Sequence, residues 1–478
     1  MLDNSVAGAD SVQTVEKYLD VAFDILKPKP TSSSCLVTID KDHTPESILA
    51  NLLSLPSMIL SDEHLISTTA KVLNEEKEEA DIIRATYGRL LEQIFALSQK
   101  TKHNKKLGTS CEQLLHALLR LFSMSEFIGI LRILLRRTDE GIQQQVLHSF
   151  ERRLNDTRSE QSKSYEAILA FLPQLASLVE ESSDLPLKHT AMACIDRILE
   201  KFGKKDTIMV TTIATTIAGP ACLGVEDSKS RVMALLCLAT MVEILRDAFI
   251  PIIPQALPQV TEFLAASIEA DAEDRRLHNA AYSFTSNLLL YVPWMITGPS
   301  LDRVLTISHE SANAEMGEDC DQNRVDTLNL LAKQIEPKEL FGALDRTWTS
   351  AITEGPKAVE EHLLVLRSSI YQRPKSFISK HSSSLTCFFL KAFDLRRIQF
   401  SPRTEDSYRD SEVGEVEEAV NETAMAMIYK LNDTAFRPLF MRMMEWSTAL
   451  KDGKKGLQRK ITWWTFLGKF FGTLKVGL

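Results

Sequence analysis

Turn residues are scarce, with 18 glycines and 17 prolines among 478 residues, about 7% of the chain where an average protein carries roughly 12%. Collagen-like repetition is excluded, and so is a Gly/Pro-rich linker. Cysteine is scarce too: the seven (Cys35, Cys111, Cys194, Cys222, Cys237, Cys320 and Cys387) are odd in number and scattered, without one CxxC pair. A disulfide framework and a clustered metal site are excluded, and a reducing compartment, cytosolic or nuclear, is expected. The first thirty residues hold Asp3, Asp10, Glu16, Asp20 and Asp24 and no basic-then-apolar start, so no secretory or transit signal is read there. The N-x-[ST] triplets at Asn155, Asn421 and Asn432 are then chance matches. Thr207 to Val225 is the one stretch long enough to suggest a membrane span. Its threonines and Gly219-Pro220 favour a buried helix instead.

Catalytic signatures are equally wanting. The sequence contains no G-x-S-x-G, P-loop, G-x-G-x-x-G or H-E-x-x-H. The nearest calcium-loop pattern, Asp319-x-Asp321-x-Asn323, has Arg324 where the turn glycine belongs and Leu330 where the bidentate glutamate belongs. The ten histidines are dispersed, and His189, His278 and His362 read as polar-face residues. No enzyme, metal or cofactor is expected.

What the chain has is helical periodicity. Leu187, Ala191, Cys194, Ile195, Ile198, Leu199 and Phe202 fall on one stripe, closed by Gly203. Between Arg231 and Arg246, Val232, Leu235, Leu236, Ala239 and Val242 form one stripe and Leu238, Met241 and Leu245 another, which predicts a helix covered on two sides. Leu172-Pro173-Gln174-Leu175 returns as Leu257-Pro258-Gln259-Val260, an offset of two units of about 42 residues, within the span of HEAT and armadillo repeats. Lys188, Lys229 and Arg276 each open an apolar stretch at comparable intervals, as second helices of such units. The fold expected is all-α, a HEAT-like helical-repeat solenoid.

The expected division is an N-terminal helix and loop (residues 1–45), helical repeats (46–160), HEAT-like repeats (161–310), a polar linker and helix (311–334) and a C-terminal region (335–478). Ser308 to Asp321 and Ser401 to Glu418 read as exposed linkers, and Lys27 to Ser34 as a loop.

Charge is uneven toward the C-terminus. Arg367 to Arg403 carries eight bases against Asp394 alone, Lys451 to Lys475 seven against Asp452, and Glu405 to Glu422 is acidic. Arg367, Arg373, Lys375, Lys380, Lys454, Lys455, Arg459 and Lys460 are therefore candidates for RNA or phosphate contact. Pairing with the acidic run is the competing expectation. Trp463, Trp464, Phe470 and Phe471, beside the second basic run, are candidates for docking a partner, and at helical spacing they could equally be core. Ile461, Trp464, Leu467, Phe471 and Leu474 line one side of this last helix and Trp463, Phe466 and Phe470 another, so an exposed aromatic patch is expected.

The string Tyr429-Lys430-Leu431-Asn432-Asp433-Thr434-Ala435-Phe436-Arg437-Pro438-Leu439-Phe440, followed by Glu445-Trp446, resembles the C-terminal region of the U3 small nucleolar RNA-associated protein 10 family (HEAT repeat-containing protein 1 in animals). Arg459 to Lys475 looks like the next family block, and Leu134 to Leu154 like a repeat upstream. The resemblance implies a long nucleolar α-solenoid in the small-subunit processome, the 90S pre-ribosome. Such a protein acts early on pre-ribosomal RNA with the U3 ribonucleoprotein, in processing to 18S rRNA linked to transcription by RNA polymerase I. It implies a scaffold, not an enzyme. Members are several times longer, so the chain reads as a C-terminal region cut short. HEAT units also build importins and phosphatase scaffolds, which leaves an importin-like or adaptor solenoid with protein partners as the alternative.

Overall fold

Three glycines show how the few turn residues are spent. Gly298, Gly317 and Gly355 have φ of 54°, 102° and 131°, the left-handed region that side chains with a Cβ avoid. Each stands immediately before a helix, and two are followed by Pro299 and Pro356 at the first helical turn, where a missing N–H costs nothing. Elsewhere, side-chain caps do the same work: Asp184 accepts from the Leu187 N–H at 3.1 Å and Asp227 from the Ser230 N–H at 2.7 Å.

The computed structural model describes residue 17, residues 53–66 in part, and then 77–100, 105–119, 122–137, 140–156, 165–269, 275–314, 316–400, 407–450 and 453–476. The expected N-terminal helix and the Lys27 to Ser34 loop lie outside the described residues, as do the side chains of Leu474 and Lys475. Among the described residues all regular structure is helical. The chain divides into two compact units, residues 1–213 and 214–478.

The first unit holds α1 (Lys77–Lys100), α2 (Lys105–Leu119), α3 (Met124–Arg137), α4 (Glu140–Asp156), α5 (Tyr165–Leu169), α6 (Leu172–Glu181) and α7 (Leu185–Phe202). α4 packs on both α1 and α7, and α7 covers α6. All seven residues of the stripe Leu187 to Phe202 are buried. Pro173 lies in the first turn of α6, where the chain restarts after the short α5.

α8 (Thr207–Ile217) follows, and its Val210, Ile213 and Ile217 are buried while Ile208 is exposed. This is the charge-free stretch, and among the described residues no helix is long and apolar enough to cross a membrane.

The second unit is a two-layer array. One row is α9 (Ser228–Leu245), α11 (Arg275–Tyr291), α13 (Glu318–Gln334), α15 (Pro356–Gln372) and α19 (Asp410–Ile428). The other contains α10 (Ile253–Glu269), α12 (Pro299–Asn313), α14 (Pro337–Glu354) and α17 (Ser382–Phe393). Each helix packs on the next of its own row and, for α10 to α15, on its partner across the layers. That connectivity is a HEAT-like helical-repeat solenoid. Short helices α16 (Lys375–Lys380) and α18 (Leu395–Gln399) interrupt the last units, and α20 (Asp433–Thr448) and α21 (Gly453–Val476) complete them.

Two expectations are corrected. Ser308 to Asn313 is the end of α12, with Ser308, His309, Ser311 and Ala312 buried, and Asp410 to Glu418 is the first half of α19. The first segment is polar because its helix buries polar contacts, whereas in the second only Glu417 among the polar residues is buried and Asp410, Ser411, Glu415 and Glu418 are the exposed side of a helix; residues 401–406 lie outside the described residues. Leu236, expected in the core, is 41% exposed. At about 100° per residue, the buried residues of α9 form one broad arc containing Ala234, Leu235, Leu238 and Met241, and Leu236 falls on the opposite strip with Thr240 and Glu243. Leu235→Ala should therefore cost about 2–5 kcal/mol in denaturant unfolding, and Leu236→Ala no more than about 0.5 kcal/mol. Equal effects would contradict this packing.

Candidate functional site

The structure separates the eight candidate cations into two groups. Arg367 pairs with Glu422 on α19. Arg373 donates to the Lys333 and Ile335 carbonyls at the C-terminus of α13. Arg459 grips the Asp394 carboxylate through Nε at 2.7 Å and Nη2 at 2.9 Å, and its guanidinium lies 4.9 Å from the Trp446 ring. These three brace the fold, each engaged by groups of this chain. Lys375, Lys380, Lys454, Lys455 and Lys460 are exposed, without a carboxylate partner among the described residues.

The acidic run neutralises two more of the basic residues. Arg396 binds Glu417 in a two-pronged pair at 2.8 and 2.5 Å, and Thr462 adds its hydroxyl to the same carboxylate at 2.7 Å. Lys469 pairs with Glu418. Asp394 receives Arg397 as well as Arg459; burial raises its pKa, but the two guanidinium groups outweigh that and hold it below the usual carboxylate range. A stretch of high local charge thus becomes the seam joining α18, α19 and α21.

The aromatics divide in the same way. Trp463, Phe466 and Phe470 are buried, with Phe470 stacked on Phe436 at 5.4 Å and Trp463 against Phe440 at 5.3 Å. The distinctive Phe436 to Phe440 block is the part of α20 that seats α21; its Arg437 and Pro438 face outward. Trp463 and Phe470 are therefore core, whereas Trp464 and Phe471 are exposed.

Sequence reasoning missed a buried polar network in the second unit. Arg324 on α13 is fully buried and donates to both Glu361 oxygens at 2.8 and 2.9 Å, to the Ser311 carbonyl at 3.0 Å and to Asp321 at 2.7 Å. Burial opposes its charge, but Glu361 and Asp321 overcome that and hold its pKa above the ordinary value. Ser311 Oγ meets His278 Nε2 at 2.8 Å, Tyr282 meets Ser308 at 3.1 Å, and His309 Nε2 lies 3.0 Å from His362 Nδ1. His309 also reaches Ser350 on α14 at 3.2 Å. Five successive helices, α11 to α15, are tied together by these contacts.

His278 and His362, expected on polar faces, are buried here. A signal was present: Arg324 stands at the head of the buried stripe Leu328 and Leu331, and His362 lies between Val359 and Leu366 on the buried stripe of α15. Asp321 and Arg324, in the calcium-loop lookalike, are helical and paired. Among the described residues no group of three or more His, Cys, Asp or Glu could hold a metal. A cleft of about 870 Å³ at the start of α13, α15 and α19 is lined by Glu318, Asp321, Glu360, Glu412 and Glu415 with Lys357 and Arg409.

A family model described as the BP28CT (NUC211) domain matches residues 377–476, the stretch from α16 to α21. A protein of Chaetomium globosum called U3 small nucleolar RNA-associated protein 10 is 40% identical over 468 residues, 97% of this chain and 27% of that protein. Its Neurospora crassa namesake is 41% identical over 471 residues, 97% of this chain and 26% of its own length. The chain thus spans about a quarter of these relatives. Among solved structures, yeast importin-β (Kap95p) aligns at 10% identity and a TM-score of 0.39, over 94% of this chain and 59% of that one.

Proposed function

Because this chain belongs to the U3 small nucleolar RNA-associated protein 10 family, we propose that it is a non-catalytic scaffold of the nucleolar small-subunit processome. It supports pre-ribosomal RNA processing alongside the U3 ribonucleoprotein, in the nucleolus. The observation that carries this reading is the match across 97% of the chain. The architecture is in keeping with it: a helical-repeat array offers long surfaces, and its buried titratable groups are enclosed by helices and committed to one another. Affinity capture of the tagged chain is expected to enrich U3 RNA and processome proteins. Enrichment of nuclear-pore proteins or a small GTPase instead would overturn it in favour of a transport adaptor.

Direct RNA contact, on this reading, is weak and indifferent to sequence, because it falls to five lysines: Lys375, Lys380, Lys454, Lys455 and Lys460. With about 0.7 of a counterion released per neutralised phosphate on a single strand, five contacts give a slope near −3.5 in log affinity against log salt, or about a hundredfold loss between roughly 50 and 200 mM. Charge reversal at Lys454 and Lys455 should weaken unrelated RNAs equally. Filter retention that prefers one sequence strongly, or that is undetectable even at low salt, would contradict this contact.

A further inference from the structure

α21 has two unlike sides. Thr462, Trp463, Phe466, Leu467 and Phe470 are buried, whereas Leu457, Trp464 and Phe471 are 54%, 69% and 52% exposed. The three exposed apolar residues are seven positions apart, so they form one line along the helix with about 10.5 Å between successive side chains. Heptad spacing of this kind is the seam that one helix presents to another.

Beside the line lie Thr465, Gly468 and Gly472, all exposed. A Cβ built on Gly468 or Gly472 meets nothing within 4 Å, and neither glycine has a positive φ. Nothing within the described residues requires glycine there, although glycine is among the poorest helix formers. An apolar ridge flanked by a shallow groove is the relief that takes up a second helix.

Charge selects the kind of helix. α21 has six basic residues and no carboxylate in 24 positions. Arg459 and Lys469 are neutralised within the fold. Lys454, Lys455 and Lys460 are exposed, and at about 100° per residue Lys460 flanks the ridge on one side and Lys454 on the groove side. We propose that the Leu457–Trp464–Phe471 face of α21 docks an acidic amphipathic helix of a partner protein, its apolar residues against the ridge and its carboxylates against these lysines. A second copy of α21 would bring six unpaired lysines together. Single-stranded RNA could stack on Trp464 and Phe471, but it has no use for Leu457 or the glycine groove.

The test uses the full chain and a fluorescein-labelled synthetic peptide of about 21 residues, with leucine at heptad positions a and d and a glutamate-rich polar face, measured by anisotropy at about 200 mM salt. Saturable binding is expected, about tenfold or more tighter than that of the same peptide with lysine for glutamate. The double variant Trp464→Ala, Phe471→Ala should weaken it about tenfold or more, and Gly468→Leu, which fills the groove from an open position, should do the same. Both should keep the parent's circular dichroism and melting temperature, because the altered sites face solvent. Low-salt RNA retention should survive in both.

Absence of saturable binding, or equal affinity for the two peptides, would overturn the proposal. Self-association abolished by the Trp464 and Phe471 changes would assign the face to a second copy. Loss of RNA retention in the double variant, with peptide binding intact, would assign it to base stacking.

Discussion

Glu361→Ala is expected to destabilise the second unit by about 3–5 kcal/mol, because it leaves the Arg324 guanidinium buried without its two-pronged partner. Asp321 offers only one bond to a different nitrogen and is shared with Lys357 at 2.7 Å, so it cannot take over. The double change Arg324→Met, Glu361→Leu removes both charges together and should cost clearly less than Glu361→Ala alone, since desolvation of the ion pair offsets much of its attraction. Urea unfolding followed by circular dichroism separates these outcomes. A loss below about 1 kcal/mol for Glu361→Ala would mean that water reaches Arg324.

Acid should destabilise the same unit through its buried histidines before the paired carboxylates Asp321 and Asp394 titrate. Burial pushes His309 down to about 4, and burial followed by repulsion from Arg324 takes His278 to about 4. Burial, then His309, holds His362 well below its ordinary value. In the unfolded chain these rings take up protons near 6.5, so the unfolded state binds more protons between about pH 6.5 and 4. Stability is therefore flat above this window and falls as pH drops through it, by up to about 3 kcal/mol for each of His278 and His309. The lowered carboxylates Asp321 and Asp394 lose their contributions only at lower pH. The groups facing these histidines are Arg324, Asp321, Tyr282 and one another. His309→Gln should make the profile between about pH 6.5 and 4 shallower without abolishing it, since His278 and His362 remain, and a variant profile parallel to that of the parent would contradict the assignment.

The sites differ in how they could be read from sequence. The two basic runs and the acidic run were visible as composition, and so was the possibility that they pair. Which cation joins which carboxylate was not, because Arg459 and Asp394 are 65 positions apart and Arg367 and Glu422 are 55 apart. Trp463 and Trp464 are adjacent and chemically identical. One is core and the other exposed only because about 100° of helix rotation separates them and α20 lies on one side.

The helices, their repeat and their caps were determined by the sequence itself. Stripes such as Leu187 to Phe202 are local signals, legible within four turns, and Gly298-Pro299 and Gly355-Pro356 mark helix starts by their own backbone chemistry. The family resemblance was likewise carried by a contiguous block, Tyr429 to Phe440. Tertiary structure alone decided that polar Ser308, His309 and Ser311 are core, that Leu236 is surface, and that Arg373 and Arg459 are braces while Lys454 and Lys460 are exposed. Periodicity locates a face on one helix, but burial and charge compensation depend on which other helix covers that face. That pairing joins residues dozens of positions apart, where no local pattern reaches.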